Sequence, residues 1–244
     1  LTSKVGGSFV LLDEKNMIYR VVKQRISEKK GKETFNLDFS QMRGESIEED
    51  LLLRDFTING MAIRLDMVEE SLREVREARL PKESIVDPSG GMVDLKRKLI
   101  KKISSRIFDE DPLRLLRAYR LAATLGFAVE KETEKADLVT GAARERVRDE
   151  LLKILSNSES YRYIRRVERA GLLRRIIPEI EMMRETPENY YHRGGLWGHS
   201  LEALKSLEDI LSNLAKIFPG MSKKILTHLK QRAYGEVEKK ILLK

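Results

Sequence analysis

The stretch from Glu110 to Arg120, EDPLRLLRAYR, decides the fold class. On a helical wheel that starts at Asp111, three arginines fall at about 300°, 240° and 180°; they are Arg114, Arg117 and Arg120. Apolar side chains fall between about 20° and 140°; they are Leu115, Leu116, Tyr119, Ala122 and Ala123. Leu113, Ala118 and Leu121 interrupt this separation. The pattern predicts an amphipathic helix over 112–125, with one packed side and one basic side.

Strand patterns come before this helix and helical patterns follow it. Period-two or apolar runs bounded by turn residues predict strands over 8–12, 18–22 and 35–39, and a strand runs into a Gly-Gly turn over 85–91. Ser46 and Glu49 form a capping box that opens a helix. Further helices are predicted over 67–79, 131–139, 144–155, 159–170 and 199–214. Since no strand pattern returns after residue 108, we expect a strand-rich head followed by an all-helical remainder.

The charge of the chain is concentrated in its central third. The 244 residues carry a formal charge of +8. Residues 96–175 hold 21 Lys and Arg against 12 Asp and Glu. A basic block of this size predicts binding to a polyanion, the alternative being a solvated helical surface.

Composition also limits the class of protein. The chain contains no cysteine, which excludes disulfides and thiolate metal sites and agrees with a reducing cytoplasm. It has no apolar run long enough to cross a membrane. The first residue is Leu1 and not Met, so we expect that upstream residues are missing or were cut.

Four motifs in chain order resemble those of class II tRNA nucleotidyltransferases, the CCA-adding enzymes, and of bacterial poly(A) polymerases, within the polymerase-β-like superfamily. Arg54 to Ala62, RDFTINGMA, resembles the family's RRDFTINAMA signature, with Leu53 in place of the first Arg and Gly60 in place of Ala. Asp87 to Leu95, DPSGGMVDL, resembles its DP-x-GG-x-x-DL turn. The remaining two are the 110–120 stretch and the neck motif at 144–151, RERVRDEL.

The resemblance implies that Asp111 and Arg114 select the incoming base. Cytosine and adenine present an amino donor beside a ring-nitrogen acceptor, which suits a carboxylate that only accepts and a guanidinium that only donates. Uracil and guanine present the opposite order and would leave buried groups unpaired. The alternative on spacing alone is that Asp111 caps the helix that begins at Pro112.

Other polar residues in the motifs take supporting roles by the same resemblance. Arg54, Arg117 and Arg120 would bind ribose and triphosphate oxygens, because Arg forks suit phosphate. The alternative for Arg54 is an ion pair with its neighbour Asp55, and the alternative for Asn59 is a capping or buried hydrogen bond. Support in the site is expected from Glu110, Asp55, Asn59, Asp94 and Arg43.

Nucleotidyl transfer in this family uses two Mg²⁺ or Mn²⁺ ions held by carboxylates. The family places an Asp-x-Asp pair on a strand after a Gly-Gly-x-x-Arg-Asp turn, but Val5-Gly6-Gly7-Ser8 lacks the Arg-Asp, and no Asp-x-Asp precedes the first strands. Asp38, between Leu37 and Phe39, is the candidate catalytic and metal-binding residue, with a surface carboxylate as the alternative. We therefore expect residues 1–244 alone not to incorporate nucleotide.

The predicted architecture is an α/β nucleotidyltransferase head that lacks its N-terminal part (1–106), an all-α neck (107–175) and the start of an HD-like helical body (176–244). Tyr191 to Leu201, YHRGGLWGHSL, resembles the start of that body, but the His-Asp doublet of HD hydrolases is absent, which favours structural histidines. The expected activity is cytoplasmic addition of CCA, or part of it, from CTP and ATP to tRNA. Poly(A) polymerisation and a non-catalytic RNA-binding module are the alternatives, and the oligomeric state is left open.

Overall fold

The computed structural model describes residues 7–14, 17–27, 31–67, 84–135, 143–190 and 193–229. Two compact units divide the chain, residues 1–92 and 93–244. The helix expected over 67–79 lies outside the described residues from 68 onward. The predicted domain bounds at 106 and 175 stay predictions.

A three-stranded antiparallel sheet opens the first unit. Its strands are β1 (Ser8–Asp13), β2 (Ile18–Ser27) and β3 (Gly31–Ser40), in the order β1-β2-β3. All three predicted strands are confirmed, and β2 and β3 are longer than the patterns indicate. The register places Arg20 opposite Asp38, so their side chains are cross-strand neighbours.

Short elements complete the first unit. They are α1 (Ile47–Leu52), a 3₁₀ turn (Thr57–Asn59), and strands β4 (Ala62–Ile63) and β5 (Ile85–Val86), which pair antiparallel. The Ser46 hydroxyl accepts the backbone N–H of Glu49 at 3.2 Å, which confirms the predicted cap. The Glu49 carboxylate accepts the N–H of Glu45 at 2.8 Å, one residue before the position that a capping box predicts.

The Gly-Gly turn joins β5 to α2 (Gly91–Arg97), which crosses the boundary between the units. The Asp87 carboxylate accepts the N–H groups of Gly91 at 2.7 Å and Met92 at 2.9 Å, and so caps α2. A Cβ atom on Gly91 would lie 2.2 Å from the carbonyl oxygen of Thr57. Only glycine allows this approach, so the turn packs directly on the RDFTINGMA segment.

Helices dominate the second unit. After β6 (Leu99–Ile100) come α3 (Arg106–Glu110), α4 (Leu113–Leu125), β7 (Ala128–Val129), α5 (Lys131–Glu134), α6 (Arg144–Leu155), α7 (Ser160–Arg169), α8 (Leu172–Ile176), α9 (Glu179–Glu185), α10 (Gly195–Ser212) and α11 (Leu214–Ile217). The predicted helices at 112–125, 144–155, 159–170 and 199–214 are confirmed within a few residues. Residues 136–139 of the helix expected over 131–139 lie outside the described part. None of the described helices is long and apolar enough to cross a membrane.

One short strand in this unit corrects the expectation that no strand follows residue 108. β7 pairs parallel with β6, and Ala128 donates to Lys98 while Glu130 donates to Ile100, both at 2.9 Å. Gly126 adopts the left-handed conformation (φ +69°) that ends α4 and turns the chain back. Two residues are too few for periodicity to reveal such a strand.

Helix α4 is the centre of the second unit and packs against α6 and α7. Its five predicted core side chains are all buried, which confirms the packed side of the wheel. Leu113 and Ala118, which interrupt the pattern, are buried as well. The packed face of α4 is therefore wider than the wheel indicates, because helices contact it on more than one side.

Candidate nucleotide-binding site

The predicted site residues fall into one group in each unit, and each group is described by itself. In the first unit, the groups around α1 converge on the buried carboxylate of Asp50, which is 2 % exposed. The Arg43 backbone N–H donates to Asp50 at 2.9 Å, and the Arg54 guanidinium donates to it at 2.5 and 3.1 Å. The Arg43 guanidinium also donates to the Leu53 carbonyl at 2.9 Å.

Two opposing effects act on the pKa of Asp50. Burial alone would raise this pKa, but the Arg43 N–H and the Arg54 guanidinium stabilise the carboxylate and lower it below its usual value. Asp50 was not among the residues predicted for the site. The signal was present in the i, i+4 spacing of Asp50 and Arg54.

Arg54 forms an ion pair, as the alternative prediction states, but its partner is Asp50 and not Asp55. The backbone continues to turn after α1, since Leu53 donates to Glu49 and Arg54 donates to Leu51, both at 3.2 Å. This turn brings Arg54 to the same side as Asp50, four residues earlier. The Asp55 carboxylate accepts the Phe56 N–H and the Asn59 side-chain amide, both at 2.9 Å. This bond shows Asn59 as a hydrogen-bonding residue, while its contact with substrate stays a prediction.

The candidate metal residue Asp38 lies on the exposed β2–β3 pair. The Arg20 guanidinium donates to both of its carboxylate oxygens, at 2.6 and 2.7 Å. These bonds with Arg20 lower the pKa of Asp38. Within the described part of the chain, no three His, Asp or Glu side chains are placed to hold a metal ion. The residues described here therefore do not fit a two-metal site.

In the second unit, Asp111 lies at the corner between α3 and α4 with extended backbone (φ −148°, ψ 100°). One carboxylate oxygen accepts the N–H of Leu113 at 3.1 Å, and its carbonyl accepts the N–H of Arg114 at 3.0 Å. These bonds provide acceptors for two backbone N–H groups in the first turn of α4. Asp111 thus has the capping role that spacing predicts. The base-selecting role is compatible with the cap, because each carboxylate oxygen has two lone pairs.

The second Asp111 oxygen is held by Arg146 from α6, with Nη2–Oδ2 at 2.5 Å. Arg146 belongs to the neck motif, but the motif alone does not predict a role for it. No local pattern connects two residues that are 35 positions apart. The guanidinium holds this oxygen by a charge-assisted hydrogen bond and so fixes the orientation of the carboxylate.

The arginine side of α4 is more strongly paired than the wheel indicates. Arg114 donates through Nη1 to Glu110 at 2.8 Å and to the Ile107 carbonyl at 3.1 Å. Arg120 donates to Glu150 of α6 at 2.6 Å. The side chains of Arg114 and Arg120 are each only 19 % exposed, whereas Arg117 is exposed. Their contacts with phosphate stay predictions, as does support from the buried Asp94.

Two family models match this chain. A poly A polymerase head domain matches residues 4–101, and a probable RNA and SrmB-binding site of polymerase A matches residues 126–183. Together they cover well over half of the chain, in the order expected. The chain belongs to the class II tRNA nucleotidyltransferase and poly(A) polymerase family. The Asp111–Arg120 segment lies between the two matched regions.

Relatives in this family agree with the assignment. A CC-adding tRNA nucleotidyltransferase of Geobacter sulfurreducens is 35% identical over 70% of this chain and 36% of its own length. An A-adding tRNA nucleotidyltransferase of Deinococcus radiodurans is 34% identical over 85% of this chain and 44% of its own length. The chain therefore spans less than half of these relatives.

Solved structures show the same family fold. A tRNA nucleotidyltransferase complexed with a primer tRNA and an incoming ATP analog matches 89% of this chain and 56% of its own, with 25% identity and a TM-score of 0.61. A tRNA-processing enzyme in an apo form matches 89% of this chain and 51% of its own, with 25% identity and a TM-score of 0.59. The head and helical architecture predicted from the sequence is confirmed.

Proposed function

We propose that this chain is the head and neck part of an enzyme that adds C or A from CTP and ATP to the 3′ end of tRNA. The observation that carries the proposal is the α3–α4 corner, where the carboxylate of Asp111 and the guanidinium of Arg114 lie about one helical turn apart. The Asp111 carboxylate would accept the amino group of cytosine or adenine. Arg114 would donate to the neighbouring ring nitrogen.

The relatives support a family of related products. They include CC-adding, A-adding and multifunctional CCA proteins, and all three products carry only C and A. A base-reading pair that rejects uracil and guanine serves each of them. A cytoplasmic location, expected from the composition, remains part of this proposal.

Mg²⁺ or Mn²⁺ belongs to the proposal through the family, and when bound it would activate the 3′ hydroxyl and neutralise the leaving pyrophosphate. Since the described residues do not fit a two-metal site, no reaction step is assigned to Asp38. What this chain supplies is base selection by Asp111 and Arg114 and electrostatic attraction of RNA by its basic residues.

The test is incorporation of labelled nucleotide into tRNA that lacks its 3′ CCA, with each NTP supplied in turn to the full-length protein. We expect label from CTP or ATP and none from UTP or GTP. Residues 1–244 assayed alone should incorporate none. Incorporation of all four nucleotides at similar rates would contradict the proposal, and binding of tRNA without any incorporation would favour the non-catalytic RNA-binding module.

A further inference from the structure

A cleft lies in the second unit between α7, α9 and the first two turns of α10, and we call it the α7–α10 cleft. Its volume is about 420 Å³, within the range of roughly 300–1,000 Å³ of small-molecule sites. The lining residues that matter here are Tyr161, Arg165, Glu168, Arg184, Arg193 and Trp197. None of them belongs to the base-selecting corner.

The cleft contains cations without carboxylate partners. Arg184 is paired with Glu168 at 2.9 Å, and Glu202 is close to Lys205 at 3.5 Å. Arg165 donates to the Tyr161 hydroxyl at 3.2 Å. Among the described residues, neither Arg165 nor Arg193 has a carboxylate partner, so two positive charges remain to attract an anion.

An aromatic ring lines the same cleft as these cations. The Trp197 indole lines the cleft, and its Nε1 donates to Glu168 at 2.5 Å. Glu168 is also held by Arg184, so the carboxylate that orients the indole is itself fixed. Aromatic side chains in a positively charged groove are the surface on which single-stranded nucleic acid stacks its bases.

At the start of α10, glycines without side chains form part of the cleft wall. Gly194 and Gly198 line the cleft, and a Cβ atom added to either would meet no atom within 4 Å. A planar ligand can therefore approach the backbone here without displacing a side chain.

We propose that the α7–α10 cleft binds one nucleotide of a single-stranded RNA segment, with the phosphate on Arg165 and Arg193 and the base on Trp197. The inference rests on the proposed function only in that the chain acts on RNA. Arg165 lies within the RNA-binding family model, but that model ends at residue 183, so Arg193 and Trp197 extend the site beyond it.

Trp197 makes the site directly observable, since it is the single tryptophan of the chain. The probes are an oligoadenylate of about ten nucleotides, an abasic ribose-phosphate oligomer of equal length, and free AMP. We expect the oligoadenylate to quench Trp197 fluorescence saturably at low salt. The abasic oligomer should bind roughly 5- to 150-fold more weakly, which corresponds to the loss of one stacked base.

Charge-neutralising variants test the phosphate contacts. Arg165→Gln and Arg193→Gln should each lower the slope of log affinity against log salt by about 0.7, as for one lost contact with a single strand. Arg193 is exposed, so its replacement leaves folding intact. Arg169→Gln is the matched control, because Arg169 is an exposed arginine of α7 that does not line the cleft.

Three results would overturn the assignment. The first is equal weakening by Arg169→Gln, which would indicate a general basic surface. The second is an equal quench by free AMP, which would identify a free nucleotide as the ligand. The third is RNA binding, measured by anisotropy of labelled RNA, without any quench. Nucleotide incorporation by full-length protein carrying Arg193→Gln is assayed in parallel, so failure of this site and failure of the proposed function remain distinguishable.

Discussion

At the scale of single residues, one carboxylate oxygen of Asp111 caps α4 and the other accepts a hydrogen bond from Arg146. We expect Asp111→Asn in the full-length enzyme to raise incorporation of UTP relative to CTP, because the new amide can donate to a uracil carbonyl. Asn caps helices as well as Asp does, so the melting temperature should be unchanged. Asp111→Ala and Arg114→Ala should each cost roughly 1–3 kcal/mol of base discrimination. An unchanged UTP-to-CTP ratio in Asp111→Asn would leave Asp111 as a helix cap.

Arg146 orients the base-selecting carboxylate from a separate helix. We expect Arg146→Ala to weaken discrimination between CTP and UTP by about 1 kcal/mol, the upper end of the contribution of an ion pair that solvent reaches. The measurement is single-nucleotide incorporation as a function of CTP and UTP concentration. Arg148→Ala is the control, since Arg148 is on the same helix and pairs with its neighbour Asp149. Equal losses in both variants would show that the effect comes from net charge.

Asp50 predicts an acid-sensitive first unit. Because its pKa is lowered in the folded protein, its stabilisation is present above the unfolded pKa of about 3.9 and is lost as pH falls through the folded value. Asp50→Asn should lower the free energy of unfolding at pH 7 by roughly 1.5–3 kcal/mol. It should also flatten the loss of stability below about pH 4. Denaturant unfolding at several pH values measures both, and an acid transition as steep in the variant as in the parent would exclude Asp50 as its source.

At the scale of elements, the Gly-Gly turn depends on the absence of a side chain. We expect Gly91→Ala to lower the free energy of unfolding by about 3 kcal/mol or more, since the added carbon would overlap a backbone carbonyl that cannot move away. Gly198→Ala in α10 is the control, because its Cβ would meet open space. That substitution should raise stability by roughly 0.5–1 kcal/mol. Thermal unfolding of the two variants side by side is the measurement. Equal stability of the two would contradict the close approach of Gly91 to the Thr57 carbonyl.

Elements with a local signal were predictable from sequence, and those made by distant partners were not. Helix α4 is predicted by the spacing of its apolar residues. The caps at Ser46 and Asp111 are predicted by the preference of Ser and Asp for the N-terminal ends of helices. Strand β7 is too short for periodicity, and its partner β6 lies almost thirty residues earlier. The bonds of Arg146 with Asp111 and of Trp197 with Glu168 join residues far apart in sequence. In the candidate site, the partners that other elements supply were therefore not predictable, and the roles of the predicted site residues stay predictions.

At the scale of the whole molecule, the basic block predicts salt-dependent RNA binding. If residues 96–175 contact the phosphate backbone, affinity for tRNA should fall steeply with salt, with log affinity linear in log salt. Filter binding at several salt concentrations is the measurement. Charge reversal at exposed Arg162, within the block, should reduce the slope, whereas reversal at exposed Lys216, outside it, should not. A flat salt response, or equal effects of the two reversals, would assign the block to a solvated surface.

The parallel pairing of β6 with β7 limits where the neck can be separated from the rest of the protein. The sequence pattern suggests expressing the neck from residue 107, which would remove Leu99 and Ile100. The N–H groups of Ala128 and Glu130 would then lose their acceptors, and the chain after Gly126 would lose its anchor. A shortened neck protein should therefore begin upstream of Lys98. It then keeps β6, which pairs with β7 and so fixes the chain that follows α4.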